Sequence, residues 1–291
     1  MKKIAVVTDS HSSISPAEAG MLGVYVLPMP FDVDGQDYFE GVNLTRERFF
    51  AYQRAGAVIG TSQPAPAAVM EMWDKVLAEY ETLLYMPISS GLSSSCQTAI
   101  AYAEEEPYAG RVFVVDNGRV GSPLHQSVLD ALDLIKAGHS AAEIKAALEA
   151  NRNELVIYIA VETLEYLKRG GRISSSAAAV GTLLNIKPIL HLTTGKLESY
   201  KKARGMNKAC ETMLESIRSD LAIRFQEAHA RGDVRLLAAG SADKLTTAKW
   251  LKQIGEAFPG MPILYDDLSM GVSCHTGEGA LGVGLSVKPT V

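Results

Sequence analysis

Short unbroken apolar runs alternate with amphipathic stretches through the first half of the chain. Ile4 to Val7, Thr82 to Ile88 and Arg111 to Asp116 (with Val112, Phe113, Val114 and Val115) are such runs. Apolar runs of this length without strict alternation predict strands buried on both faces. Helix signals lie between them. Ser15-Pro16-Ala17-Glu18 predicts a capping box with proline at the first helical position. Thr45 predicts the cap of a helix through Arg54, stopped by Gly56. Pro66 opens a helix through Tyr80, Cys96 to Glu105 is helical in pattern, and Pro123 to Lys136 forms another. Ser140-Ala141-Ala142-Glu143 is a second capping box. Strands and helices in alternation predict a mostly parallel sheet with helices on both faces.

The second half reads differently. Leu155 to Val161 predicts a strand, followed by a helical stretch from Glu162 to Lys168 and a sharp Gly170-Gly171. Lys187 to Leu192 and Lys196 to Lys202 flank Thr193-Thr194-Gly195, a hairpin turn signal. A long helix is predicted from Met206 to Ala230. Strand, helix and strand follow at Val234 to Ala239, Ala242 to Ala257 and Pro262 to Tyr265, and Ala280 to Val287 closes the chain as a glycine-alternating strand. A hairpin combined with crossovers predicts a mixed sheet. The expected fold is α/β in two domains, 1–153 and 154–291, with the boundary near Asn151 to Glu154.

Composition agrees with two cores: the chain has 291 residues, 47% of them hydrophobic and 21% charged. The net charge of -5, without a basic run interleaved with aromatics, argues against a nucleic-acid partner. Three cysteines, Cys96, Cys210 and Cys274, stand far apart without metal or CxxC spacing, which fits a reduced cytosol and no metal. The apolar run after Met1-Lys2-Lys3 ends at Thr8-Asp9-Ser10, too early for a signal sequence, and no stretch reaches membrane-spanning length. A cytoplasmic protein that is not integral to a membrane is expected, with transient membrane contact left open.

The candidate chemistry lies in hydroxyl-rich breaks. Pro87-Ile88-Ser89-Ser90-Gly91-Leu92-Ser93-Ser94-Ser95 carries a strand into a helix start, where free N–H groups, the helix dipole and serine hydroxyls suit an anion. Gly60-Thr61-Ser62-Gln63-Pro64 is a second such break; alone, it reads as simple N-capping. Neither a P-loop GxxxxGK[ST] nor a nucleophile elbow GxSxG is present. At Asp9-Ser10-His11-Ser12-Ser13, a ligand role and a self-satisfied turn stay open for Ser10 and Ser12; His11 reads as a surface loop residue. His275 stands in the glycine-rich run Cys274-His275-Thr276-Gly277-Glu278-Gly279; it can donate to a carboxylate, and a buried histidine satisfied by backbone, the usual reading of a lone histidine, stays open beside that. If that segment is extended, Cys274 and His275 point apart. Arg172 follows the paired glycines, which permit close backbone approach or simply cap a helix and leave the arginine in solvent.

Taken in order, Val7-Thr8-Asp9-Ser10, Gly60 to Pro64, Ser89 to Ser93, Leu164 to Ile173, Asn185-Ile186-Lys187-Pro188-Ile189-Leu190, Lys202-Ala203-Arg204 and His275-Thr276-Gly277 resemble the DegV family. This family contains the bacterial fatty-acid-binding proteins that serve as the lipid-carrying subunit of fatty-acid kinase. The resemblance spans nearly the whole chain. It implies one long-chain fatty acid buried between two α/β domains, no other cofactor and no catalytic residue of the protein's own. It further implies that Thr61, Ser62, Ser93 and His275 bind the carboxylate. Ser94, Arg172 and Arg204 would lie near the head group or face a kinase catalytic subunit, which makes an acyl phosphate for phospholipid synthesis. The sequence departs from the family pattern at Glu278, where proline is usual, and at Ser94-Ser95-Cys96. Apolar residues such as those of Ala179 to Ile189 would wall the tail. Two other readings compete: a Ser/His hydrolase or acyltransferase using Ser93, His275 and Asp9 or Asp116, and a small phosphate-metabolite binder.

Overall fold

The computed structural model describes residues 2–173, 185–193 and 196–291. Thr194 and Gly195 of the expected hairpin turn, and residues 179–184 of the expected tail wall, lie outside the described residues. The chain divides into two compact units. The first is Met1–Arg152 with Ser269–Gly271 and Pro289–Val291; the second is Asn153–Leu268 with Val272–Lys288.

The first unit runs, in chain order, β1 (Lys2–Asp9), α1 (Pro16–Leu22), β2 (Tyr25–Leu27), β3 (Pro30–Val33), β4 (Gln36–Phe39), α2 (Arg46–Arg54), β5 (Ile59–Thr61), α3 (Pro66–Leu77), β6 (Tyr80–Met86), α4 (Ser95–Ala103), β7 (Val112–Val114), α5 (Ser122–Lys136) and α6 (Ala141–Ala150). Its main sheet has the order β2-β1-β6-β7, and every pairing is parallel. Alternation along β1 sorts the core into two layers. Ala5 and Val7 pack with Val69, Trp73, Val76 and Leu77 of α3 and with Cys96 and Ala99 of α4. Val6, one residue out of phase, packs with Leu124, Val128 and Ala131 of α5 and with Ile144 and Leu148 of α6. Both faces are covered, as the unbroken apolar runs predicted. Each fully buried Val or Leu contributes about 1.5–3 kcal/mol.

The helix signals hold locally. Ser15 accepts from the Glu18 N–H with Pro16 at the first helical position, Thr45 accepts from Arg48, and Ser140 and Glu143 form both halves of a capping box. The helix expected to run from Pro66 to Tyr80 ends at Leu77, because Tyr80 already pairs with Lys2 in the sheet. A three-stranded antiparallel sheet of order β4-β3-β5 has no counterpart in the sequence reading. Its strands are three or four residues long, too short for periodicity to register.

The second unit runs β8 (Leu155–Ala160), α7 (Glu165–Arg169), β9 (Ile186–Thr193), β10 (Lys196–Arg204), α8 (Met206–Ala222), α9 (Gln226–Ala230), β11 (Val234–Gly240), α10 (Lys244–Ala257), β12 (Ile263–Asp267), α11 (Met270–Thr276) and β13 (Leu281–Val287). The start of α11 belongs to the first unit. The six-stranded sheet has the order β10-β9-β8-β13-β11-β12, with β11–β12 parallel and the remaining pairs antiparallel, a mixed sheet as expected. Val156, Tyr158 and Ala160 of β8 and Leu281, Val283, Leu285 and Val287 of β13 pack against α8 and α10.

Two expectations are corrected here. The helix expected over Met206 to Ala230 is broken after Ala222, where the Phe225 N–H bonds Asp220 O, one residue further back than an α-helix allows. Phe225 and Ala228 continue the buried stripe across the break, so the apolar periodicity conceals it. The segment around His275, weighed as extended, is instead the helix α11.

Candidate functional site

In the first unit, β5 ends at Thr61, which pairs with Phe31 of β3, and Ser62 and Gln63 follow it, exposed. The hydroxyls of Thr61 and Ser62 do not cap α3. Its N-cap is Ala65, which makes no side-chain capping bond, and Pro66 removes one N–H that would need a partner. The capping explanation therefore fails at this break.

The serine loop divides its labour. Ser89 Oγ accepts from the Gly91 N–H at 3.1 Å, and the Ser90 hydroxyl donates to Asp116 Oδ2 at 2.5 Å. Ser93 and Ser95 share a hydroxyl–hydroxyl bond of 3.0 Å, and the N-cap Ser94 makes no side-chain bond to its own helix. Ser94 reaches instead to Gln63 Oε1 at 3.4 Å, and Thr98 of α4 donates to the same oxygen at 3.1 Å. Gln63 thus ties together two loops about thirty residues apart (31 from Gln63 to Ser94). Nothing in the run Gly60 to Pro64 itself assigns Gln63 this role. The amide oxygen serves the tie, and a side-chain amide brings two N–H donors besides. The result is a half-exposed cluster of hydroxyls beside the N-terminus of α4, where negative charge is favoured.

The loop is braced from behind. Ser89 donates its N–H to Arg119 O at 2.9 Å, and Asp116 Oδ1 accepts from the Ser90 N–H at 3.3 Å. Arg152 pairs with Asp116 Oδ2 at 3.0 Å. Burial opposes ionisation of Asp116, but the bonds from Ser90 and Arg152 outweigh it and hold the carboxyl below its ordinary value.

The turn after β1 is satisfied by its own backbone and by that of two neighbouring loops. Asp9 accepts from the His11 N–H at 2.9 Å and the Ile88 N–H at 2.9 Å. Ser10 Oγ accepts from the Met29 N–H at 3.1 Å, and the Ser12 hydroxyl donates to Asp9 O at 2.9 Å. The self-satisfied reading holds for Ser10 and Ser12. His11 is buried, not a surface residue: its Nδ1 lies 3.3 Å from Asp9 Oδ1, and the Cα of Gly271 packs against its ring. Both oxygens of Asp9 and of Asp116 are thus engaged by the protein's own groups. The Cys96 thiol is pushed up to about 12 by burial, with Asp116 and Asp9 adding to the effect, so it offers no thiolate at neutral pH.

In the second unit, His275 is half-buried on the last turn of α11. Its imidazole rests on Gly170: a Cβ at that glycine would lie 2.0 Å from Nδ1. Arg172 donates from Nη1 to Gly170 O at 2.5 Å. Arg204 ends β10, exposed, opposite Ile186. Among the described residues, no helix is long and apolar enough to cross a membrane.

Residues 3–288 match the model of the DegV family, described as an uncharacterised protein family. The chain belongs to the DegV family. A DegV domain-containing protein of Deinococcus radiodurans is 33% identical over 285 residues, covering 97% of this chain and 98% of the relative. Among solved structures, a fatty-acid-binding DegV family protein from Thermus thermophilus superposes with a TM-score of 0.86 at 34% identity, covering 98% of this chain and 99% of that one. A fatty acid binding DegV family protein from Streptococcus agalactiae gives a TM-score of 0.85 at 26% identity, covering 99% of this chain and 100% of that one. The two-unit α/β architecture is that of the DegV structures.

Proposed function

We propose that this DegV chain binds one long-chain fatty acid and presents its carboxylate to a partner kinase. The kinase phosphorylates it to an acyl phosphate that feeds phospholipid synthesis, and the chain by itself turns nothing over. The observation that carries the reading is the likeness, over nearly the full length, to the fatty-acid-binding protein of Thermus thermophilus. Thr61, Ser62, Ser93 and His275 are the proposed carboxylate donors, with Ser94, Arg172 and Arg204 near the head group or facing the kinase. The lipid is the only ligand the reading requires.

Energetics divide the work between tail and head. About fifteen methylenes at about 0.8 kcal/mol each supply roughly 12 kcal/mol of gross transfer energy, part of which is offset by the cost of association. The head group therefore needs orientation more than affinity. A hydroxyl donor to a charged group contributes about 1.5–3 kcal/mol. Thr61→Ala and Ser93→Ala should each weaken fatty-acid binding about 10- to 100-fold, measured by displacement of a fluorescent fatty acid. Unchanged binding in both would remove these residues from the head-group site.

The lipid itself is tested by native mass spectrometry of the purified chain, followed by extraction. One bound fatty acid per chain is expected. A chain that is empty and also fails to take up oleate or palmitate would end the reading. Robust labelling of Ser93 by a fluorophosphonate would instead favour a hydrolase. The kinase step has its own test. Arg204→Ala should slow acyl phosphate formation by a bacterial fatty-acid kinase catalytic subunit with ATP, while bound lipid stays unchanged. Loss of lipid in that variant would place Arg204 in the binding site instead.

A further inference from the structure

Gly170 and Gly171 are adjacent, yet they are glycine for different reasons. Gly171 has φ +67, a conformation that disfavours side chains. Gly170 has φ −77 and ψ −9, ordinary helical values open to any residue. What excludes a side chain at Gly170 is His275: an added Cβ would lie 2.0 Å from Nδ1 and 2.5 Å from Cε1 of the imidazole. The Nδ1–Cε1 edge of the ring therefore lies directly on the glycine, and Nε2 is farther from it.

The contact does not stand alone. Gly277, at φ +77, faces Tyr166, where a Cβ would come within 2.7 Å of the ring carbon Cδ2. Gly279, at φ +85, faces Glu162, where a Cβ would come within 2.9 Å of Cγ. Tyr166 lies on α7, Gly170 just past its end and Glu162 in the bend before it; their partners Gly277, His275 and Gly279 are spaced two apart and run in the opposite direction. Three successive contacts of this kind leave the end of α11 and the loop after it little freedom to slide along α7 and the bend before it. Arg172 holds the last rung by its bond to Gly170 O at 2.5 Å.

We infer that this ladder is a seat that fixes the imidazole of His275, with Gly170 and Tyr166 as positioning residues for the carboxylate donor. The inference rests on the proposed role of His275 in fatty-acid binding. It gives the glycine pair a purpose inside the protein: Gly170 sets the histidine, and Gly171 only turns the chain. An imidazole displaced by even an ångström loses a directional hydrogen bond, so the seat acts on ligand geometry without touching the ligand.

The test follows the imidazole directly. In the full chain, the His275 ring resonances are assigned in ¹H–¹³C spectra by their loss in His275→Ala, and fatty-acid affinity is measured in parallel. Gly170→Ala should shift the His275 resonances and weaken binding about tenfold or more. It should add nothing further in a His275→Ala background, because the glycine acts through the histidine. Tyr166→Ala opens space rather than filling it, and decides the matter if Gly170→Ala fails to fold; it should also shift or broaden the His275 resonances and weaken binding several-fold. Unmoved His275 resonances in the folded variant would overturn the seat. An equal loss of binding from Gly170→Ala with and without His275 would also overturn it. If the resonances move while His275→Ala leaves fatty-acid affinity intact, the seat stands and the carboxylate role of His275 falls.

Discussion

Replacing Gly284 by alanine should lower the thermal unfolding midpoint of the second unit by about 6–12 °C, equivalent to about 3 kcal/mol. Gly284 lies in β13, paired on one side with Ile157 of β8 and on the other with Leu237 of β11. Along β13, Leu281, Val283, Leu285 and Val287 fill the core under α8 and α10. The alternate positions Gly282, Gly284 and Ser286 therefore face the opposite side of the sheet. There the Ile157 side chain covers the space above Gly284: a Cβ would meet Ile157 Cδ1 at 2.1 Å and Val156 O at 2.4 Å. The isoleucine tip could rotate away, but the carbonyl belongs to a central strand and cannot. Gly282 supplies the control. Its Cβ would lie 3.4 Å from Ala239 O and from Tyr158 O, ordinary contacts. Gly282→Ala should be neutral, or stabilising by a few tenths of a kcal/mol through reduced freedom of the unfolded chain. Equal melting temperatures for the two variants would show that the sheet adjusts at Gly284, and would sink the prediction.

The glycine alternation of β13 was visible in the sequence, and so were the buried strands of the first unit, because their signals are local. What escaped was made by distant partners. The helix α11 has a glycine at its second position, which weakens its signal in the sequence. Its first N–H groups, those of Met270 and Gly271, are accepted at 2.5 and 3.2 Å by the Glu40 carboxylate, 230 residues earlier in the chain. No window of sequence contains both halves of that cap. The helix α10 is the opposite case: Asp243 accepts from Leu245 and Thr246, a cap readable in place, and it moves the helix start from the expected Ala242 to Lys244.

The candidate site shows the same division. Hydroxyl density singles out both loops in the sequence. Sequence could not tell a capping hydroxyl from one facing outward, since both occur beside a helix start. The Ala65 N-cap and the tie through Gln63 make that distinction, and each depends on the path of the backbone. His11 misled because Asp-Ser-His-Ser-Ser has the composition of a solvated turn. Its burial follows from a close approach of Gly271 that nothing local announces. Paired glycines signalled a close approach at Gly170-Gly171, but not that the approaching group is the protein's own histidine.

Asp116→Asn should lower stability by about 2–3 kcal/mol at neutral pH, and this loss should shrink as the pH falls below about 4. The carboxylate of Asp116 accepts from the Ser90 N–H and hydroxyl and pairs with Arg152, whose Nη1 also donates to Asp116 O at 3.2 Å. Asparagine keeps the shape and can still accept from Ser90. It leaves the guanidinium, whose side chain is only 30% exposed, without its counter-charge. Because the folded-state value of Asp116 is depressed, the unfolded chain binds its proton more readily. Its contribution is therefore full above the unfolded value near 3.9 and is lost as the pH falls through the lower folded value. Urea unfolding at pH 7 and near pH 3 would read the difference between wild type and variant directly. A difference that stays constant across that range would mean that Asp116 acts by shape alone. The functional consequence follows from the same bonds. Ser90 anchors the loop that carries Ser93, so loosening it should, on the proposed lipid-binding reading, speed fatty-acid exchange several-fold even at neutral pH, where the variant remains folded. Faster exchange together with a pH-dependent stability loss would tie the hydroxyls of the serine loop to the ion pair behind them. Unchanged exchange would show that the loop holds its shape through the Ser89–Arg119 backbone bond and the Gln63 tie without it.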